Sequence, residues 1–179
     1  MVSLDKGEQK SPDFLAINPS GKIPALRLSE GQIVTESAAI LLTLADHFPQ
    51  ASQARAQAYR WLAFMAGEIY PIVEMVDYPE RFAPGDAESL RRIAKDRIRE
   101  RILIVERMVD GPFVLRHGFS ILDIYAAMFT RWSLEPDWKL ASLPKLMALA
   151  ETISKRPAIA PVWARHFKIR PAAARSLFP

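Results

Sequence analysis

Apolar positions follow two different rules along the chain. Up to about residue 48, short β-type runs alternate with turn residues; beyond it, apolar residues recur at three- and four-residue steps. The first regime predicts strand, helix, strand, strand, helix. "MVSL" reads as a strand, and "SPDFLAI" as a helix with Ser11 as N-cap and Pro12 at its first position. "NPSGK" is a turn by composition. "IPALRL" and "QIVT" are strands joined by "SEG", a hairpin in which Gly31 supplies positive φ. From Glu36 onward, Ala38, Leu41, Leu42, Ala45 and Phe48 share one helical face, which ends at Pro49.

"PQASQ" has the composition of a linker, and the second regime starts after it. Trp61, Met65, Ile69, Val73 and Val76 predict one long helix bent at Pro71. "YPERFAPGD" interrupts the pattern. Asp86 is the expected N-cap of a helix buried along Leu90, Ala94, Ile98, Ile102, Val105 and Val109, stopping at Asp110 and Gly111. In "FSILDIYAAMFTRW", Ser120 and Asp123 have the spacing of a capping box, and Phe119 is placed to staple onto Ile124. The expected apolar face there is Ile121, Ile124, Tyr125, Met128 and Trp132. Two more helices are expected, Leu143 to Lys155 and Ala158 to Phe167, with a loosely ordered tail after Pro171. The chain therefore reads as a small α/β module followed by an all-helical module of about five helices.

Composition narrows the function classes. The chain has 179 residues, 50% hydrophobic and 25% charged, which is globular composition. A net charge of +4 with interspersed signs makes no demand for nucleic acid. The basic run "RRIAKDRIRER" places Glu88 with Arg92 and Asp96 with Arg99 at helical pair spacing, the pattern of a solvated face. With no cysteine, the chain cannot form a disulfide, a thiolate zinc site or a cysteine nucleophile of its own. His47, His117 and His166 have no ligand spacing, so no metal is expected. "MVSLDKGEQKSPDF" lacks the pattern of a signal or transit peptide, and no window has the apolar length of a membrane helix; a soluble cytoplasmic protein is the expectation.

Two local features can carry chemistry. If the bond from Ile23 to Pro24 is cis, the Ile23 N–H and C=O face outward and can pair with an extended peptide like an added strand. If it is trans, the commoner state, Pro24 is an ordinary edge-strand proline. At Glu36 and Ser37 a strand gives way to a helix, so free amides, a hydroxyl and the positive end of the helix dipole meet. A carboxylate can sit on Ser37 while Glu36 accepts an ammonium; a plain N-cap is the commoner use of such residues.

Together, "NPSGKIPAL" followed by "TESAAI" resembles the glutathione-binding half of cytosolic glutathione transferases of bacterial type. "FSILDIY" and "RPAIAPVWARH" are similar to features of that family's helical domain, so the likeness runs from Met1 to about His166. It implies an α+β fold, a truncated thioredoxin-like N-terminal domain over residues 1–48 followed by an all-α C-terminal domain over 53–179. It also implies glutathione as cosubstrate, with the Ile23 main chain ahead of a cis Pro24 holding the cysteinyl part, Glu36 and Ser37 the γ-glutamyl group, and Lys22 near a carboxylate. Tyr70 and Trp132, with Tyr78 and Phe82 behind them, are candidates for the pocket of an apolar electrophile. The further expectations are conjugation to that electrophile in detoxification and a homodimer without nucleic acid or membrane partners.

The likeness also sets an anomaly. Family members carry a first strand and first helix ahead of the helix that starts here at Ser11, and a Ser, Tyr or Cys near the start of that first helix contacts the glutathione sulfur. No residue of this chain matches that position. A misassigned start is therefore expected first and a naturally shortened chain second, and the alternative function is an inactive glutathione transferase-like binding or assembly module.

Overall fold

The structure, a computed structural model, describes residues 2–47, 55–132 and 134–167. The expected linker "PQASQ", the tail after Pro171 and Phe48 lie outside them. The described residues fall into two compact units, one holding residues 2–47 and the other 55–132 and 134–167.

In the first unit α1 spans Pro12–Ile17, β1 Ala25–Arg27, β2 Ile33–Thr35 and α2 Ser37–His47. α1 starts as expected: Ser11 Oγ accepts from the Phe14 N–H at 3.3 Å, and Pro12 opens the helix where no donor is needed. β1 and β2 form an antiparallel pair in the register Ala25 to Thr35, Leu26 to Val34 and Arg27 to Ile33. The Leu28 N–H donates to Gln32 O at 2.9 Å, and Gly31, at φ 91°, makes the reversal in a region closed to most side chains.

One predicted strand does not form. Residues 2–7 of "MVSL" and its continuation are irregular chain and turn. A strand exists only by pairing, and Ser3 has spent its groups locally: its N–H donates to Glu8 Oε2 at 2.7 Å and its C=O accepts from the Glu8 N–H at 3.0 Å.

The second unit is helical: α3 Arg55–Phe64, α4 Tyr70–Asp77, α5 Ala87–Met108, α6 Ile121–Phe129, α7 Pro136–Ser142, α8 Pro144–Ser154 and α9 Ala160–His166. The predicted long helix is α3 and α4 joined by a π-helical turn, Met65–Ile69. Pro71 brings no N–H to the ladder, and the break sits just before it: the Tyr70 N–H reaches back five residues to Met65 O. The irregularity is thus a widened turn ahead of Pro71. Met65, Ile69, Val73 and Val76 are buried as expected, with Leu62 in place of the half-buried Trp61.

α5 buries Ala94, Ile98, Ile102 and Val105, and packs on α4 and α8. Asp86 is its N-cap by position, yet its side chain makes no capping bond. α6 departs from the predicted stripe. Leu122, Tyr125, Ala126, Ala127 and Phe129 are buried, while Ile121, Ile124, Met128 and Trp132 are only half-buried. A helix packed on both α3 and α8 buries more than one face, so a single amphipathic stripe is the wrong template. α7 escaped the pattern because it is short, although Glu135 and Pro136 stand at its N-cap and first position.

Two buried charges tie helix ends together. Glu106 of α5 accepts the N–H groups of Lys145 and Leu146 at 2.9 and 2.8 Å, satisfying the start of α8. Lys139 of α7 donates to Thr130 O at 2.8 Å, at the C-cap of α6.

Candidate functional site

In the first unit the site residues cluster at two backbone junctions. At the first, α1 ends on Asn18, and the chain loops through Pro19, Ser20, Gly21 and Lys22 before β1. The bond from Ile23 to Pro24 is cis. Ile23 is 42% exposed, and among the described residues none hydrogen-bonds its main chain.

The loop is closed by Asn18, which is buried. Its Nδ2 donates to Lys22 O at 2.7 Å, while its Oδ1 accepts from the Ser20 N–H at 3.1 Å and from Ser20 Oγ at 2.8 Å. Its main chain bonds Phe14 O at 2.8 Å and the Gly21 N–H at 2.9 Å. Gly21 sits at φ 60°, and a Cβ there would come within 2.6 Å of Lys10 Nζ. Sequence reading missed Asn18 by treating "NPSGK" as a turn without structure; an Asn whose side chain meets the N–H two residues on was the available signal.

At the second junction β2 ends at Thr35 and α2 starts at Ser37, with Glu36 between. Glu36 is exposed and has φ 67°, the one non-glycine positive φ among the described residues. An L-residue there costs about 1–2 kcal/mol, and such residues concentrate at ligand sites. Glu36 O accepts from the Ile40 N–H at 3.0 Å, so the Glu36 carbonyl takes the first bond of α2. Ser37 is half-buried in the first turn.

In the second unit Tyr70 and Trp132, predicted together, lie together: their rings are 6.0 Å apart and edge to face. Trp132 continues to Phe129 at 5.7 Å and Phe129 to Tyr125 at 5.1 Å, so an aromatic file runs from the core out to Tyr70, which is 37% exposed. Burial, then the nearby Tyr70, pushes the Tyr125 phenol up to about 12. Tyr78 instead lies under the Arg81 guanidinium, and Phe82 is exposed; neither joins the file. An open cavity of about 300 Å³ lies elsewhere in this unit, lined by Arg60, Trp61, Met108, Val114 and Arg116 among others, and none of the predicted site residues borders it.

The predicted capping box forms. Asp123 is fully buried; Oδ2 accepts from the Ser120 N–H at 2.6 Å and Ser120 Oγ at 3.0 Å, and Oδ1 from the Val114 N–H at 2.6 Å. Burial raises its pKa, and the donors of Val114 and Ser120 oppose the rise. Phe119 stacks with Phe113 and lies under the Arg156 guanidinium. On the basic run, Asp96 pairs with Arg99 at 3.2 Å as expected, but Glu88 pairs with Arg91 at 2.8 Å in place of Arg92. Among the described residues no cluster of His, Asp and Glu has the arrangement of a metal site, and no helix is long and apolar enough to cross a membrane.

Residues 1–47 match the family model described as the glutathione S-transferase N-terminal domain. The glutathione S-transferase GstA of Escherichia coli O157:H7 is 26% identical over 170 residues, 89% of this chain and 82% of that protein. These matches support a bacterial-type glutathione S-transferase family for the chain. A glutathione transferase homolog from Sulfitobacter, solved with bound glutathione, superposes with TM-score 0.78 at 26% identity, covering 93% of this chain and 84% of that one. A beta class glutathione S-transferase from Sphingomonas chungbukensis gives TM-score 0.67 at 26% identity, over 86% and 78% of the two chains. These bacterial structures fix the fold of the chain as a thioredoxin-like N-terminal domain, here with a two-stranded sheet among the described residues, and a helical C-terminal domain.

Proposed function

We propose that the chain binds glutathione, with the Ile23 main chain pairing to its cysteinyl unit and Glu36 and Ser37 holding its γ-glutamyl end, and that it conjugates the glutathione sulfur to an apolar electrophile. The observation that carries this reading is Glu36 at φ 67°, a costly conformation on an exposed acidic residue at the start of α2, where a helix has N–H groups without intrahelical partners. A γ-glutamyl end has one ammonium and one carboxylate; Glu36 complements the first, and Ser37 with the α2 amides the second. Lys22 supplies positive charge near the peptide's glycyl carboxylate. Tyr70 and Trp132 receive the apolar body of the electrophile. A homodimer and a cytoplasmic setting complete the proposal by family likeness.

A second reading, a glutathione-binding module without turnover, rests on the same residues, because Ile23, Glu36 and Ser37 hold the peptide whether or not its sulfur reacts. Retention on glutathione-agarose and conjugation of chloro-dinitrobenzene separate the two. Retention with turnover supports the transferase, and retention alone supports the module. In Glu36→Ala and Ser37→Ala, glutathione affinity is expected to fall by about 1.5–3 kcal/mol each, the range of a hydrogen bond to a charged group. Unchanged affinity in both variants refutes the site.

A further inference from the structure

We propose that Asn18 is a positioning residue for glutathione: by holding the Lys22 carbonyl on its side-chain amide, it turns the Ile23 N–H outward to meet the cysteinyl carbonyl. The inference rests on the glutathione reading above and adds the residue that sets the donor's direction.

One peptide unit sets the direction of this donor. Lys22 C=O and Ile23 N–H belong to the same planar amide, which is trans, so the two groups point in opposite directions. The carbonyl is held at 2.7 Å by Asn18 Nδ2, and Asn18 is only 4% exposed, so the carbonyl faces inward. The Ile23 N–H therefore faces away from Asn18, on a residue that is 42% exposed.

The Asn18 amide has one workable orientation. Ser20 offers two donors, its N–H and its hydroxyl, to Oδ1, which leaves Nδ2 for the Lys22 carbonyl. A flipped amide would set Nδ2 against the Ser20 N–H and Oδ1 against a carbonyl. The main chain of Asn18 is held as well, by Phe14 O and the Gly21 N–H, so the side chain springs from a fixed point. Gly21 at φ 60° brings Lys22 back over Asn18. Every polar group of Asn18 is thus engaged in shaping the approach to Ile23.

Asn18→Asp tests this in the full chain. It keeps the acceptor for Ser20 and replaces the donor that holds Lys22 O with an oxygen that repels it. Two ligands are compared by calorimetry: glutathione, and γ-glutamylcysteamine, which keeps the γ-glutamyl end and the thiol but has no cysteinyl carbonyl. Glutathione affinity is expected to fall about tenfold, as for loss of one directed hydrogen bond, while γ-glutamylcysteamine affinity is unchanged. The Ile23 amide resonance is expected to shift downfield with glutathione in the unaltered protein and not in the variant. Equal losses for both ligands mean a general loosening of the loop and overturn the proposal, as does unchanged glutathione affinity. If Asn18→Asp does not fold, the unaltered protein decides: an Ile23 amide that responds to glutathione but not to γ-glutamylcysteamine supports the inference, and any other pattern overturns it. Failure of the unaltered protein to bind glutathione at all overturns the site reading itself, and is seen before any variant is made.

Discussion

Removing the Asp123 carboxylate tests how the second unit is held together. In Asp123→Ala two backbone donors, the Val114 and Ser120 N–H groups, lose their acceptor in a place with no exposure to water. Each orphaned buried donor costs about 1–3 kcal/mol, so the pair costs roughly 2–6 kcal/mol. That is a large share of the 5–15 kcal/mol or so that holds a typical domain folded. Ser120→Ala provides the internal control. It removes the hydroxyl, with its bond to Asp123 and its half of the capping box, and leaves the Val114 and Ser120 N–H groups satisfied by Asp123, for a cost of about 1 kcal/mol. The four tryptophans, Trp61, Trp132, Trp138 and Trp163, all lie in the second unit, so urea unfolding followed by tryptophan fluorescence reads this unit alone. An Asp123→Ala loss below about 1 kcal/mol, or a Ser120→Ala loss as large as that of Asp123→Ala, refutes the claim that the carboxylate serves as acceptor for buried backbone donors.

Two further perturbations follow from single groups. Glu135, at the N-cap of α7, accepts from Lys95 at 3.0 Å and from Arg99 at 2.9 Å; burial pushes its pKa up, but its own backbone N–H and these two cations outweigh that and hold it at about 2. Because the folded value lies below the ordinary 4.5, the stability it confers is complete above pH 4.5 and drains away as pH falls toward 2. Acid titrations read by tryptophan fluorescence should show the gap between the unaltered protein and Glu135→Gln closing over that window; a constant gap contradicts the assignment. At Glu36, glycine relieves the positive φ and alanine does not, so Glu36→Gly should exceed Glu36→Ala in stability by about 0.5–1 kcal/mol after the entropy of the added glycine is counted. Hydrogen exchange of the α2 amides measures this, and equal protection in the two variants removes the case for strain at this residue.

What could be read in advance was whatever depends on neighbours in sequence. Ser11 with Pro12, Gly31 in its hairpin, the α5 stripe from Ala94 to Val105 and the Ser120 to Asp123 box were legible because each is settled within one turn of backbone or by the period of one element. Glu36 and Ser37 were legible as a strand-to-helix junction, and "NPSGKIPAL" with "TESAAI" as a family pattern. Tertiary structure alone decided the rest. "MVSL" has strand composition, but pairing is a property of two segments, and Ser3 bonds Glu8 instead. α6 carries apolar residues that fit one stripe, yet packing on two neighbours buried a different set. The cis state of the Ile23 to Pro24 bond, the positive φ of Glu36 and the grip of Asn18 on Lys22 depend on how a loop closes on itself. The energy of those closures is shared among residues whose order along the chain does not reveal that they meet.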